Sequence, residues 1–151
     1  MTTERKPNKV VDQLTSTMKI DPDEYSPVTS SNRVSSLGYA LAGWLYMLRR
    51  QKNTRIQAVA SVVVFALALW LQIDFTGLAV LVLTITIVWM AEFLNAAVEA
   101  VCNLATSDIH PMAKVARDVA SAAVLLGVVA SVIIGLLIMG PPLLERLNLI
   151  G

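Results

Sequence analysis

The chain has 151 residues, of which 56% are hydrophobic and 15% are charged, with a formal net charge of +1. Soluble domains carry about 25% charged residues, so the composition excludes a soluble globular enzyme and is typical of a membrane protein. Long uncharged stretches lie at 56–73, 75–91 and 119–144. Each is long enough, or nearly so, to cross a hydrocarbon core of about 30 Å as a helix. The sequence therefore predicts an all-α integral membrane protein.

Residues 1–33 contain five cations and five acids, and they include prolines at positions 7, 22 and 27. Such a segment buries too little apolar surface to offset the entropy of ordering it. We expect a disordered cytoplasmic tail.

An amphipathic helix is predicted over 34–51, because Leu37, Leu41 and Leu48 share one face while Tyr39 and Arg50 lie on the other. This pattern is typical of an interfacial helix on the cytoplasmic membrane surface. A simple membrane anchor is the alternative interpretation.

Three membrane spans follow, predicted at about 56–73, 77–102 and 112–140, and a short tail at 141–151 would lie outside the cytoplasm. Arg49, Arg50, Lys52 and Arg55 precede the first span, and no acid lies between Tyr25 and Ile73. The positive-inside rule then places the N-terminus and the second connection on the cytoplasmic side.

The second span carries a polar stripe in which Glu92, Asn95, Glu99 and Asn103 follow one another at steps of three, four and four. This spacing puts all four on one helix face. Ionisable residues within a span are costly, which makes them candidates for a functional site. Hydrogen bonding between helices is the structural alternative, and it suffices for an isolated asparagine.

The connection after this stripe contains the single histidine. Pro111 favours a helix start with His110 at its cap, and Lys114, Arg117, Asp118 and Ser121 then share one face of the third span. Basic residues at a helix start can bind phosphate. Carboxylates for a divalent cation and cations for polyphosphate thus meet at one membrane boundary, the combination that phosphoryl transfer requires.

The run Ala91-Glu92-Phe93-Leu94-Asn95-Ala96-Ala97-Val98-Glu99-Ala100 resembles the signature of the small prokaryotic membrane diacylglycerol kinases and undecaprenol kinases. Downstream of this run, three segments are similar to motifs of that family: His110, Ala116-Arg117-Asp118 and Ser121-Ala122-Ala123-Val124. Upstream, three more are similar to its motifs: Gly38-Tyr39, Gly43 and Asn53-Thr54-Arg55-Ile56. The resemblance implies a homotrimer in the bacterial plasma membrane that transfers the γ-phosphate of ATP to a lipid hydroxyl, with Mg²⁺ as cofactor and no nucleic acid as partner.

By the same resemblance, Glu92 is the general base that meets the lipid, Asn95 orients the base or the substrate, and Ser121 lies near the lipid. Metal ligands would be Glu99 and Gln51. The implied nucleotide contacts are Tyr39, Gln51, Glu99, Asp108, Ile109, His110, Arg117 and Asp118.

Three positions depart from the family pattern. Gln51 and Asn103 stand where carboxylates are often found, and Arg117 stands where the family has lysine, which keeps the charge but changes its shape. Mg²⁺ prefers hard oxygen ligands but can use an amide carbonyl or water, so metal-bound ATP can still bind, more weakly. A catalytically degenerate homologue, acting as a non-enzymatic membrane protein, is the alternative function. A transporter is disfavoured because the first half of the second span offers only Thr84 and Thr86 as polar groups between Gly77 and Ala91. The identity of the lipid stays open.

Overall fold

A computed structural model describes residues 33–105 and 110–147, with side chains from Ser36 onward. These residues form four helices and no strand: α1 (Arg33–Arg50), α2 (Lys52–Trp70), α3 (Phe75–Ala105) and α4 (Pro111–Arg146). The last three are long and apolar enough to cross a membrane. The predicted all-α membrane architecture, with an N-terminal helix before three spans, is confirmed.

The chain divides into two units, residues 1–43 and residues 44–151. The described part of the first unit is the beginning of α1, where the side chains at 36–43 are all exposed. The second unit holds the end of α1 and the three long helices. Within it, α3 and α4 pack along each other most extensively, and α2 contacts α3.

The link between α2 and α3 is four residues long. Helix α2 ends at Trp70, before the predicted position 73, because Gln72 adopts a left-handed conformation with φ of 58°. Asp74 then caps α3, its two carboxylate oxygens accepting hydrogen bonds from the backbone N–H groups of Thr76 and Gly77 at 3.2 Å each. This cap starts α3 at residue 75, two residues before the predicted start.

Gly77 lies where the chain leaves no room for a side chain. A Cβ at this position would meet Ile73 Cγ2 at 2.5 Å and Asp74 Oδ1 at 3.0 Å. Glycine is therefore required for the close approach of the link to the first turn of α3.

Helix α4 continues through Pro141 and Pro142 to Arg146, six residues past the end of the predicted span at 140. Prolines are tolerated in spanning helices when neighbouring groups stabilise the chain. Here the guanidinium of Arg146 lies 5.0 Å from the centroid of the Trp70 ring at the end of α2, a cation–π contact. Packing beyond the two prolines thus extends the helix by six residues that were assigned to a tail.

Between α1 and α3, the aromatic rings of Trp44, Trp89 and Phe93 form a cluster. Trp44 stacks on Trp89 with ring centroids 4.8 Å apart and meets Phe93 edge-on at 4.9 Å. The indole N–H of Trp89 donates to Ser61 Oγ on α2 at 3.2 Å. These contacts therefore join three helices, the C-terminal part of α1 with α2 and α3. One member of the cluster, Phe93, is adjacent to Glu92 in the sequence.

Candidate functional site

The central residue of the predicted site is Glu92, whose side chain is 4% exposed. Among the residues that the structure describes, it is the one charged residue that is buried. The side chain of Asn53, at the start of α2, hydrogen-bonds its carboxylate. A buried carboxylate is costly unless such a partner stabilises it, so this pair is the first candidate feature of a functional site in the bundle.

One turn along the α3 stripe, Asn95 faces α4. Its side-chain oxygen Oδ1 accepts a hydrogen bond from Ser121 Oγ at 3.3 Å. The structure thus brings together two predicted site residues from different spans. The oxygen of Asn95 is directed at α4, which leaves its amide N–H groups as the donors available to another group.

Near the end of the same stripe, Asn103 accepts a hydrogen bond from the guanidinium of Arg117. Lys114 and Asp118, on the same turns of α4, form an exposed ion pair with each other. The predicted cations and the amide that replaces a family carboxylate are therefore neighbours. Asn103 keeps the guanidinium in place without neutralising its charge.

His110 is the N-cap of α4, as the sequence predicts. Its Nδ1 accepts from the backbone N–H of Met112 at 3.2 Å, and Pro111 follows as the first helical residue. The adjacent site candidates Asp108 and Ile109 lie outside the described residues.

Tyr39 belongs to the first unit, where its side chain is 59% exposed. Its role as a nucleotide contact stays a prediction.

The proposed metal ligands are an exposed Glu99 and a half-buried Gln51, the residue that precedes α2. Within residues 33–105 and 110–147, no group of three His, Cys, Asp or Glu residues could hold an ion. Mg²⁺ commonly uses one or two protein carboxylates together with phosphate oxygens and water. A single exposed carboxylate fits a cation that arrives bound to nucleotide, rather than one that the protein holds alone.

A groove of about 600 Å³ runs between α2, α3 and α4, with Glu92 and Asn53 among its lining residues. Apart from these two, its wall is mostly aliphatic and extends along the helices as far as Leu143. Glu92 and Asn53 therefore lie at one end of the groove. A molecule with a hydrocarbon chain in the groove could place a polar end group at Glu92.

The polar face of α2 is a feature of the groove that was not predicted from the sequence. Asn53, Gln57 and Ser61 follow one another at steps of four and all line the groove. The same helical spacing identified the stripe on α3, so the signal was present in the sequence. The uncharged character of these residues hid it.

Comparisons with known proteins identify the family of this chain. The family model described as prokaryotic diacylglycerol kinase matches residues 38–139. A diacylglycerol kinase of Synechocystis sp. is 40% identical over 115 residues, which cover 76% of this chain and 66% of that protein, just under two thirds of its length. A diacylglycerol kinase of Escherichia coli is 30% identical over 100 residues, covering 66% of this chain and 82% of that protein. An undecaprenol kinase of Bacillus subtilis is 35% identical over 95 residues, covering 63% of this chain and 77% of that protein.

The matched residues contain the buried Glu92, the polar stripe of α3 and the cations of α4. The chain therefore belongs to the prokaryotic diacylglycerol kinase family.

Proposed function

We propose that this chain is an integral membrane lipid kinase that transfers the γ-phosphate of ATP to the hydroxyl of a membrane lipid, either diacylglycerol or undecaprenol. Membership of the family gives the class of activity. The observation that carries the proposed mechanism is the position of Glu92, a buried carboxylate at the polar end of an apolar groove.

In this mechanism the lipid lies in the groove with its hydroxyl at Glu92. The carboxylate accepts the hydroxyl proton while the oxygen attacks the γ-phosphorus, so that an O–P bond forms and the bond between the γ-phosphorus and the β,γ-bridging oxygen breaks. ADP leaves with that oxygen. Asn53 orients the carboxylate through its hydrogen bond, and Asn95 positions the base or the substrate next to Ser121.

The nucleotide would lie against the cytoplasmic ends of α3 and α4. Arg117, which Asn103 holds in place, supplies positive charge for the phosphates, and the pair of Lys114 and Asp118 lies beside it. His110, Asp108, Ile109 and Tyr39 are the further nucleotide contacts that we propose.

Glu99, assisted by the side-chain carbonyl of Gln51, would hold the Mg²⁺ of metal-bound ATP. When bound there, the cation would supply positive charge to the phosphate oxygens. Because Gln51 and Asn103 stand where the family often has carboxylates, the site has two negative charges fewer. We therefore expect weaker binding of Mg²⁺ and a higher Mg²⁺ concentration for half-maximal activity.

The chain is a multi-pass membrane protein. We further propose that it resides in the bacterial plasma membrane with its N-terminus in the cytoplasm, where ATP is available, and that it works as a homotrimer. The cationic cluster at the end of α1 and the start of α2 supports this orientation, because clustered cations beside a span favour the cytoplasmic side. Its members are Arg49, Arg50, Lys52 and Arg55.

The test is transfer of labelled γ-phosphate from Mg²⁺-ATP to diacylglycerol and to undecaprenol, with purified protein in lipid bilayers. Glu92→Gln keeps the shape of the side chain and removes the base, and it should lower the rate by roughly 10²–10⁴-fold. Glu145→Gln, which alters an exposed acid at the other end of α4, is the matched control and should be fully active.

A Glu92→Gln enzyme with normal turnover would refute the assignment of the base. Folded wild-type protein that binds ATP but transfers phosphate to neither lipid would favour the alternative of a degenerate, non-enzymatic membrane protein.

A further inference from the structure

The wall of the groove contains a buried hydrogen-bond donor that is unpaired within the part of the chain that the structure describes. The side-chain nitrogen Nε2 of Gln57 is shielded from solvent, and it donates to no acceptor among the residues that the structure describes. Gln57 lines the groove one helical turn after Asn53. Buried amide groups are almost always paired, because an unpaired donor loses its hydrogen bonds to water without replacement.

The other polar groups of this part of the groove are already paired. Ser61 Oγ donates to the backbone carbonyl of Gln57 at 2.8 Å and accepts from the indole of Trp89. Thr84 Oγ1 donates to the carbonyl of Val80 at 2.7 Å. Thr54 Oγ1 is also buried without a partner in the described part of the chain, but Thr54 does not line the groove. Gln57 Nε2 is therefore the donor that a molecule in the groove would meet.

The position of this donor relative to Glu92 limits what can satisfy it. Asn53 hydrogen-bonds Glu92, and Gln57 follows Asn53 by four residues, which is about 6 Å along the helix axis. The matching ligand has a hydroxyl at Glu92 and an acceptor oxygen a few bonds away, followed by hydrocarbon. A diacylglycerol carries its ester carbonyls at this distance from its free hydroxyl. A polyprenol carries only hydrocarbon beyond its hydroxyl.

We infer that Gln57 is a specificity-determining residue that donates a hydrogen bond to an ester carbonyl of the acceptor lipid, so that the enzyme selects diacylglycerol over a polyprenol. The inference rests on the proposed lipid kinase function and on Glu92 as the residue that meets the hydroxyl. A site built to pair a substrate group discriminates strongly against an analogue that lacks the group, because its own polar atom is then left unpaired. A polyprenol in this groove would leave the side-chain N–H of Gln57 without a hydrogen-bond acceptor.

The experiment compares three acceptors in bilayers of one composition: a diacylglycerol, the dialkylglycerol of equal chain length, and undecaprenol. The dialkylglycerol has the same hydroxyl and chains but ether oxygens in place of ester groups, so it lacks the carbonyls alone. We expect wild-type kcat/KM to be roughly tenfold higher for the diacyl than for the dialkyl lipid. Gln57→Met, which keeps an unbranched side chain in the helix, should lower the value for the diacyl lipid to that for the dialkyl lipid, with the KM for ATP unchanged.

Thr86→Val is the matched control on α3, because the Thr86 hydroxyl bonds the Val82 carbonyl on the exposed surface outside the groove. It should keep the wild-type preference. Three results would each overturn the role of Gln57 and leave the kinase function standing. They are equal kcat/KM for the diacyl and dialkyl lipids in the wild type, a preference for the diacyl lipid that survives in Gln57→Met, and a preference for undecaprenol. Failure of folded wild-type protein to phosphorylate any of the three lipids would overturn both.

Discussion

Replacing Asn53 with alanine removes the amide that hydrogen-bonds the buried carboxylate of Glu92. Alanine is a good helix former, so α2 should persist and the change is confined to the hydrogen bond. A hydrogen bond to a charged group contributes about 1.5–3 kcal/mol. Asn53 itself is exposed, and water can replace part of its contact, so we take the lower end of that range. That value corresponds to a fall in kcat of roughly tenfold.

The assay is steady-state transfer of phosphate from ATP to lipid, with both substrates varied. Because Asn53 acts through the orientation of the base, kcat should fall while the KM for ATP stays constant. In a Glu92→Gln background, the same Asn53→Ala change should have no further effect on the residual rate. Equal losses in both backgrounds would refute the reasoning, since Asn53 would then act through folding or through another group.

Three further predictions concern two contacts between helices and the N-cap of α4. Replacing Asn103 with leucine, or Arg117 with lysine, should raise the KM for ATP several-fold. In the double variant the change in binding free energy should be smaller than the sum of the two single changes, because both substitutions remove the same hydrogen bond. Trp44→Ala removes two ring contacts of a partly exposed side chain and should lower the free energy of unfolding in detergent by about 1–3 kcal/mol, measured by reversible denaturation. His110→Ala removes the N-cap of α4 and should cost about 1 kcal/mol in the same assay, whereas His110→Asn should restore the cap. Wild-type stability of the alanine variants would contradict the packing and capping contacts.

The three spans were predictable because their lengths and apolar composition are set by the thickness of the bilayer. Their ends were less predictable, since each depends on a local contact. Asp74 starts α3 early by accepting from two backbone N–H groups, and Gln72 ends α2 early through its left-handed conformation. The proline pair at 141 and 142 is a strong helix-ending signal in water. It was overridden here by packing that continues to Arg146.

The site was predictable only in part, for a similar reason. The stripe from Glu92 to Asn103 follows from helical spacing within one span. The partners of its members depend on the register between spans, which spacing within one helix does not contain. Thus the sequence identifies Asn53 only as part of a family motif, although its side chain hydrogen-bonds the predicted base Glu92. The pairing of Arg117 with Asn103 was likewise beyond the sequence, since 14 positions separate them.

The link from Leu71 to Asp74 also bears on how the protein enters the membrane. In the proposed orientation this link must cross the bilayer while α2 and α3 insert as a hairpin. Between Arg55 and Glu92, Asp74 is the single charged residue, and its carboxylate already accepts from the N–H groups of Thr76 and Gly77. Because these bonds form within the turn itself, they move with it and reduce the cost of passing a charge through hydrocarbon. The geometry that begins α3 is thus also suited to carrying the hairpin across the membrane during biosynthesis.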